Sequence, residues 1–248
     1  MTQVQENPRE VELDRRQTEL GELILRRGTI QTLNDAEVYE ILLDGEMLMS
    51  SVVNVSEIAL ARIGLEAWGP RPCRVLVGGL GLGYTAHAAA QAKSVVSVDV
   101  LELLEPVLEW HAAGRVPLGR ELTSHPRVRL LQGDFFAWVR DQSRQSRASA
   151  RYDVILVDID HASDFLLQPS HASFYSEDGL RAIADRLADD GVFAYWSSAY
   201  DERDLAQSLR SVFPTVEEHT VDFYDPGCAE YDTNTIVVAR KTGHVAKA

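Results

Sequence analysis

The chain has 248 residues, 45% of them hydrophobic and 25% charged, with a formal net charge of −14. That length buries a substantial core, and the composition is that of an ordinary globular protein rather than a disordered or fibrous one. The acidic balance argues against nucleic acid as a partner, because phosphate binding needs a positive face, and no apolar run approaches the roughly 20 residues that span a bilayer.

Residues 1–17 read as a flexible, polar N-terminus of mixed charge, unlike a secretory signal or a transit peptide, so a cytoplasmic location is expected. Residues 18–53 hold two apolar runs, ELGELILRR from Glu19 and EVYEILLDGEMLMSS, separated by GTIQTLND; they predict a small N-terminal β-hairpin or meander. From Asn54, NVSEIALARIGLEAW places Ile58, Ala61 and Leu65 on one face of an amphipathic helix, which Gly69 and Pro70 end.

Residues 54–242 then alternate strand and helix as one domain. CRVLVGG leads to the helix YTAHAAAQA, and SVVSVDV, ending at Val100, leads to LELLEPVLEWHAAG, with Pro106 near its first turn. RVRLLQGD precedes the short helix FFAWVRD. YDVILVD, Tyr152 to Asp158, is apolar enough to be covered on both faces. SEDGLRAIADRLADDG reads as a helix capped by Ser176 and ended by Gly191. The strand GVFAYWSS, the helix DERDLAQSLRSVF and a hairpin of TVEEHTVDFY with NTIVVARK complete the domain. The Ser- and Arg-rich segment 140–151 reads as a surface loop, and 243–248 as a flexible C-terminus. Such alternation predicts an α/β fold whose parallel sheet binds ligands at the carboxyl ends of its strands.

The chemistry concentrates in VLVGGLGLGYTA, Val75 to Ala86. Glycines let main chain approach a ligand where a Cβ would collide, and the helix that follows points its N–H groups at that ligand. Gly79, Gly81 and Gly83 are therefore candidate binding residues. Asp99 near the end of the next strand is a candidate for ribose hydroxyls, and Asp134 with Phe135 for adenine. Gly81 to Ala86 also satisfies GxGxxA, which keeps a nicotinamide enzyme open. The preceding β-element, the two consecutive final strands, the Gly133-Asp134-Phe135-Phe136 turn and the acidic VDIDH favour another assignment. They predict a Rossmann-like, S-adenosylmethionine-dependent methyltransferase fold with a seven-stranded, mostly parallel sheet.

Structural roles compete with these. Asp99 or Asp134 could cap a helix, and Asp160 could be a solvated loop residue. His161 and His171 could bond only backbone, while Phe174 and Tyr175 suit core packing. Cys73 and Cys228 form no CxxC and lie near no histidine cluster, so no metal is expected.

In order and spacing, ILLDGEMLMSS, GGLGLGYT, Asp99, LLQGDFFAW, YDVILVD and FYSEDGLRAIADRLADDGVF resemble the spermidine synthase family, from about Leu20 to Lys241. The resemblance implies an N-terminal β-domain joined to a methyltransferase-like Rossmann domain, and a homodimer. It implies aminopropyl transfer from decarboxylated S-adenosylmethionine to putrescine or a related small amine, without a metal. Gly79, Gly81 and Gly83 would then face the donor's amino-acid or amine moiety, Asp99 the ribose, Asp134 the adenine and Asp158 the attacking amine. The family's glycine-loop aspartate is Leu82 here, its glutamine after the LDG turn is Leu48, and its DSSD segment is Asp158-Ile159-Asp160-His161. The nucleoside half is thus retained, whereas the polyamine half has changed.

An amine must lose a proton before it attacks a sulfonium carbon, so Asp158, Asp160 and His161 are the candidate catalytic groups. Strand alternation would put Asp158 and Asp160 on one side, where two carboxylates attract a cation. Open alternatives are a methyltransferase using S-adenosylmethionine on a small amine or hydroxyl, a nicotinamide-dependent oxidoreductase, and a non-catalytic nucleoside-binding or scaffold protein.

Overall fold

The computed structural model describes residues 10–30, 33–141 and 151–242. Residues 1–9 of the flexible N-terminus expected at 1–17, the C-terminus expected at 243–248 and most of the loop expected at 140–151 lie outside the described residues.

Four strands, β1 (Val11–Thr18), β2 (Gly21–Ile30), β3 (Ala36–Leu43) and β4 (Glu46–Ser50), form an antiparallel meander in chain order. Asp44 and Gly45 join β3 to β4 with positive φ, as a tight two-residue hairpin turn requires. The element begins seven residues before the expected boundary at 18, since β1 pairs with β2 from Val11 onward. VELDRRQT lacks the apolar alternation that marks a half-buried strand because it is an edge strand. Ion pairs from Arg15 to Glu12 and Glu22 decorate it, and Asp14 accepts the indole N–H of Trp110 at 2.8 Å.

After α1 (Val55–Trp68) comes a sheet of seven strands: β5 (Cys73–Gly78), β6 (Val95–Glu102), β7 (Val128–Gln132), β8 (Tyr152–Val157), β9 (Leu187–Ser197), β10 (Thr215–Asp225) and β11 (Glu230–Arg240). Their order is β10-β11-β9-β8-β5-β6-β7, with β11 antiparallel to both neighbours and the pairs among β5 to β9 parallel. Alternate residues of each strand enter opposite core layers. Val75, Val77, Val98 and Val100 pack with α1, α2 (Tyr84–Gln91), α3 (Glu105–Ala112) and α4 (Gly119–Ser124). Leu76, Ile155 and Val157 pack with α5 (Phe135–Arg140), α6 (Glu177–Arg186) and α7 (Arg203–Arg210). Strand order reverses at β5, and the crevice at such a reversal is where open α/β sheets bind ligands.

Three local expectations change. β6 runs two residues past Val100, because Leu101 and Glu102 still pair with Leu131 and Gln132, and the helix starts only at Glu105 with Pro106 in its first turn. Ser176 caps α6 as expected, but the helix ends at Arg186 and not near Gly191. Leu187 is fully buried and already pairs with Tyr152, so ADDG belongs to the start of β9. The short α4 and a 3-10 turn at Pro169–Ser173 were unforeseen.

Candidate active site

A cleft opens at the carboxyl ends of β5, β6, β7 and β8, with the meander closing one side through Ile41, Leu48 and Met49. It encloses about 970 Å³ of space between protein atoms, the open solvent at its mouth included. Gly79 and Gly81 form its floor. At Gly79, φ is +91° and a Cβ would lie 2.0 Å from the Asp158 carbonyl oxygen, so no other residue fits without moving β8. A Cβ at Gly81 would lie 2.7 Å from the Met49 sulfur. The same sulfur accepts the Leu82 N–H at 3.1 Å, tying the meander to the glycine loop. His111 holds the loop from the other side: its Nε2–H donates to the Gly81 carbonyl at 2.9 Å, and burial lowers its pKa. Gly83 does not line the cleft. It starts α2 at φ +93°, and its bare α-carbon makes room for Leu122 and His111.

Asp99 has no place in the cleft. It lies within β6 on the layer opposite Val98 and Val100, where it is 1% exposed. Arg129 grips it with two N–H bonds of 2.7 and 2.6 Å, and the Tyr152 hydroxyl donates at 2.7 Å. The strand-end carboxylate is Glu102 instead, which lines the cleft on the face of Val98 and Val100. It accepts the Leu80 N–H at 2.9 Å and the Leu104 N–H at 2.8 Å, so the acidic group is fixed beside the glycine loop. Burial raises its pKa, opposed by those amide bonds.

Asp134 is a helix cap that also lines the cleft. Its Oδ1 caps α5, accepting from the Phe136 and Ala137 amides at 2.8 and 3.1 Å, and the residue lines the cleft beside Phe135. Phe135 is 2% exposed and leans on Gly78, where a Cβ would come within 2.8 Å of the ring.

Asp158 lines the cleft, and its Oδ2 accepts the Thr85 hydroxyl at 2.8 Å. Beside it stands a carboxylate that was not anticipated, Glu57 of α1, 7% exposed and also in the lining. Glu57 accepts the Ser56 hydroxyl at 2.9 Å, which in turn accepts from the Asn234 amide at 2.8 Å. Burial raises the pKa of both acids, and the neighbouring Asp158 charge raises Glu57 further. Two buried carboxylates in one cleft resist carrying two negative charges unless a cation joins them.

Asp160 does not join Asp158. Both follow the end of β8, where strand alternation no longer operates, and Asp160 turns into the layer of α5 to α7. There it is fully buried and accepts the Leu167 N–H at 2.9 Å, the His171 Nδ1–H at 2.7 Å and the Tyr175 hydroxyl at 2.8 Å. His171 lines the cleft through that bond, although its sequence context suggested a backbone contact. His161 lines the cleft too, its ring stacked on Phe165 at 5.0 Å. Phe174 packs in the core as expected, and both cysteines are free. Leu48 faces the cleft, whereas Leu82 is wholly buried away from it.

No protein-family model matches the sequence, and no curated protein matches it. Solved structures do. The spermidine synthase from Thermotoga maritima superposes with a TM-score of 0.69 at 19% identity, over 93% of this chain and 73% of that one. A spermidine synthase in complex with the transition-state analogue AdoDATO gives 0.68 at 19% identity, over 93% and 72%. Human methyltransferase-like protein 13 in complex with SAH gives 0.53 at 18% identity, over 79% and 82%. The chain therefore has a spermidine synthase-like fold: a class I methyltransferase-type α/β domain preceded by a small β-sheet.

Proposed function

We propose that this protein is a transferase that moves an alkyl group from a sulfonium of the S-adenosylmethionine type to a small amine. The glycine floor, Glu102 and Asp134 fit an adenosine, with Glu102 accepting ribose hydroxyls and Asp134 the adenine amino group. The observation that carries the amine is the acidic pair Glu57 and Asp158 in the same cleft. Among the described lining residues there are four carboxylates and neither lysine nor arginine. Such a lining suits ammonium groups, and it favours decarboxylated S-adenosylmethionine over the carboxylate-bearing donor.

The sulfonium supplies an electrophilic carbon and a neutral thioether leaving group. The amine lone pair forms the new C–N bond while the C–S electrons pass to sulfur. Asp158 and Glu57 hold the incoming ammonium, and Asp158 takes the proton that the nitrogen must shed. His161, at the same edge, flanks this acceptor end. Cytoplasmic residence and a homodimer belong to the same proposal, through the resemblance to spermidine synthases.

Thermal-shift titration with decarboxylated S-adenosylmethionine, S-adenosylmethionine, methylthioadenosine and NAD tests the donor site by linkage. We expect stabilisation by methylthioadenosine and none by NAD; the reverse would overturn the proposal. With a panel of diamines as acceptors, Asp158→Asn should lower turnover at least about 100-fold while methylthioadenosine affinity stays within about twofold. Undiminished turnover would remove Asp158 from the mechanism.

A further inference from the structure

We infer that His171, with its ring fixed by Asp160, is the residue that selects adenine over a 6-oxo purine; this rests on the adenosine reading above. Asp160 receives donors from Leu167, His171 and Tyr175 and is fully buried. A carboxylate so surrounded acts as an acceptor, so the His171 proton resides on Nδ1. In the neutral ring, Nε2 then carries a lone pair. His171 is 5% exposed, and Nε2 has no hydrogen-bond partner among the described residues. Its ring lies 4.0 Å from that of Phe136, tilted 32°. Phe136 in turn packs edge-on against Phe135 at 5.6 Å and Phe174 at 5.2 Å, which makes the wall rigid.

Asp134 and His171 thus bring two acceptors to the aromatic end of the cleft. The 6-amino group of adenine offers two N–H donors and satisfies both. A 6-oxo purine presents an oxygen at that position, leaving the buried His171 and the half-buried Asp134 as acceptors facing an acceptor, and sites built this way reject the mismatched analogue. Asp160 is the positioning residue in this scheme, acting only through the ring it orients.

Calorimetric titration of the whole chain with 5′-methylthioadenosine and 5′-methylthioinosine tests the inference. The wild type should prefer the adenosine compound by about 100-fold, and His171→Phe, which keeps the stacked ring, should lower that preference about tenfold. His171→Gln, which restores an acceptor, should recover part of it, and melting curves confirm that each variant folds. Nitrogen-15 spectra of the neutral His171 ring should show the proton on Nδ1. Equal wild-type affinities, an unchanged preference in His171→Phe, or a proton on Nε2 would each overturn the inference while leaving the adenosine reading intact. A wild type that binds neither compound would overturn both.

Discussion

Replacing Glu57 with glutamine removes one acid of the buried pair while keeping its volume and its bond from Ser56. In the folded protein the Glu57 carboxyl is pushed up to about 8 from an ordinary value of 4.5. Between those values the folded chain holds a proton that the unfolded chain has released. Stability therefore falls as pH rises through this window, by at most ~1.4 kcal/mol per pH unit for one proton. Asp158, pushed up to about 6, adds the same sign of slope only in the lower part of the window. His111, whose pKa is lowered by burial, contributes the opposite sign, so the difference between wild type and variant is the informative quantity. Urea denaturation at intervals from pH 5 to pH 8.5 measures it. From pH 6.5 to 8 the wild type should lose on the order of 1–2 kcal/mol relative to Glu57→Gln. A saturating diamine should abolish that difference, because the ammonium replaces the proton. Parallel stability curves for the two proteins, or a wild type that gains stability relative to the variant, would refute the argument.

Two further substitutions separate the carboxylates of β6. Glu102→Gln should weaken methylthioadenosine binding about tenfold, the loss expected for one charge-assisted hydrogen bond, whereas Asp99→Asn should leave affinity within about twofold. The latter should instead lower stability by roughly 1–3 kcal/mol, since it unpairs the Arg129 and Tyr152 donors; calorimetry and urea denaturation read the two effects independently. Gly79→Ala forces a Cβ to 2.0 Å from a main-chain oxygen at a φ of +91°. It should abolish detectable adenosine binding or prevent folding, and an alanine variant that binds normally would show that the loop does not approach its ligand closely.

The alternation of apolar runs carried the architecture, because parallel strands buried on both faces have few other readings. The glycine loop was equally legible, since open space for main chain leaves a direct mark on residue identity. Carboxylates were harder. Ending the strand at Val100 selected Asp99 over Glu102, three positions further on, and with period-two geometry an odd step exchanges the two faces of a sheet. Glu57 was hidden in the first turn of an amphipathic helix, where an acid is expected anyway to complement the helix dipole. Asp160 and His171 are eleven positions apart, and the loop that folds one onto the other has no periodicity from which their contact could be read. β1 escaped notice because an edge strand covered in charges resembles a polar tail.

The meander has an electrostatic consequence larger than its size. Ile41, Leu48 and Met49 are hydrocarbon and thioether placed over a cleft that also holds the glycine loop and four carboxylates. By excluding water from that side, three apolar side chains add to the burial that makes the acids below reluctant to give up their last proton. Substitutions in this canopy would therefore tune the acidity of the chamber without touching a single ionisable group.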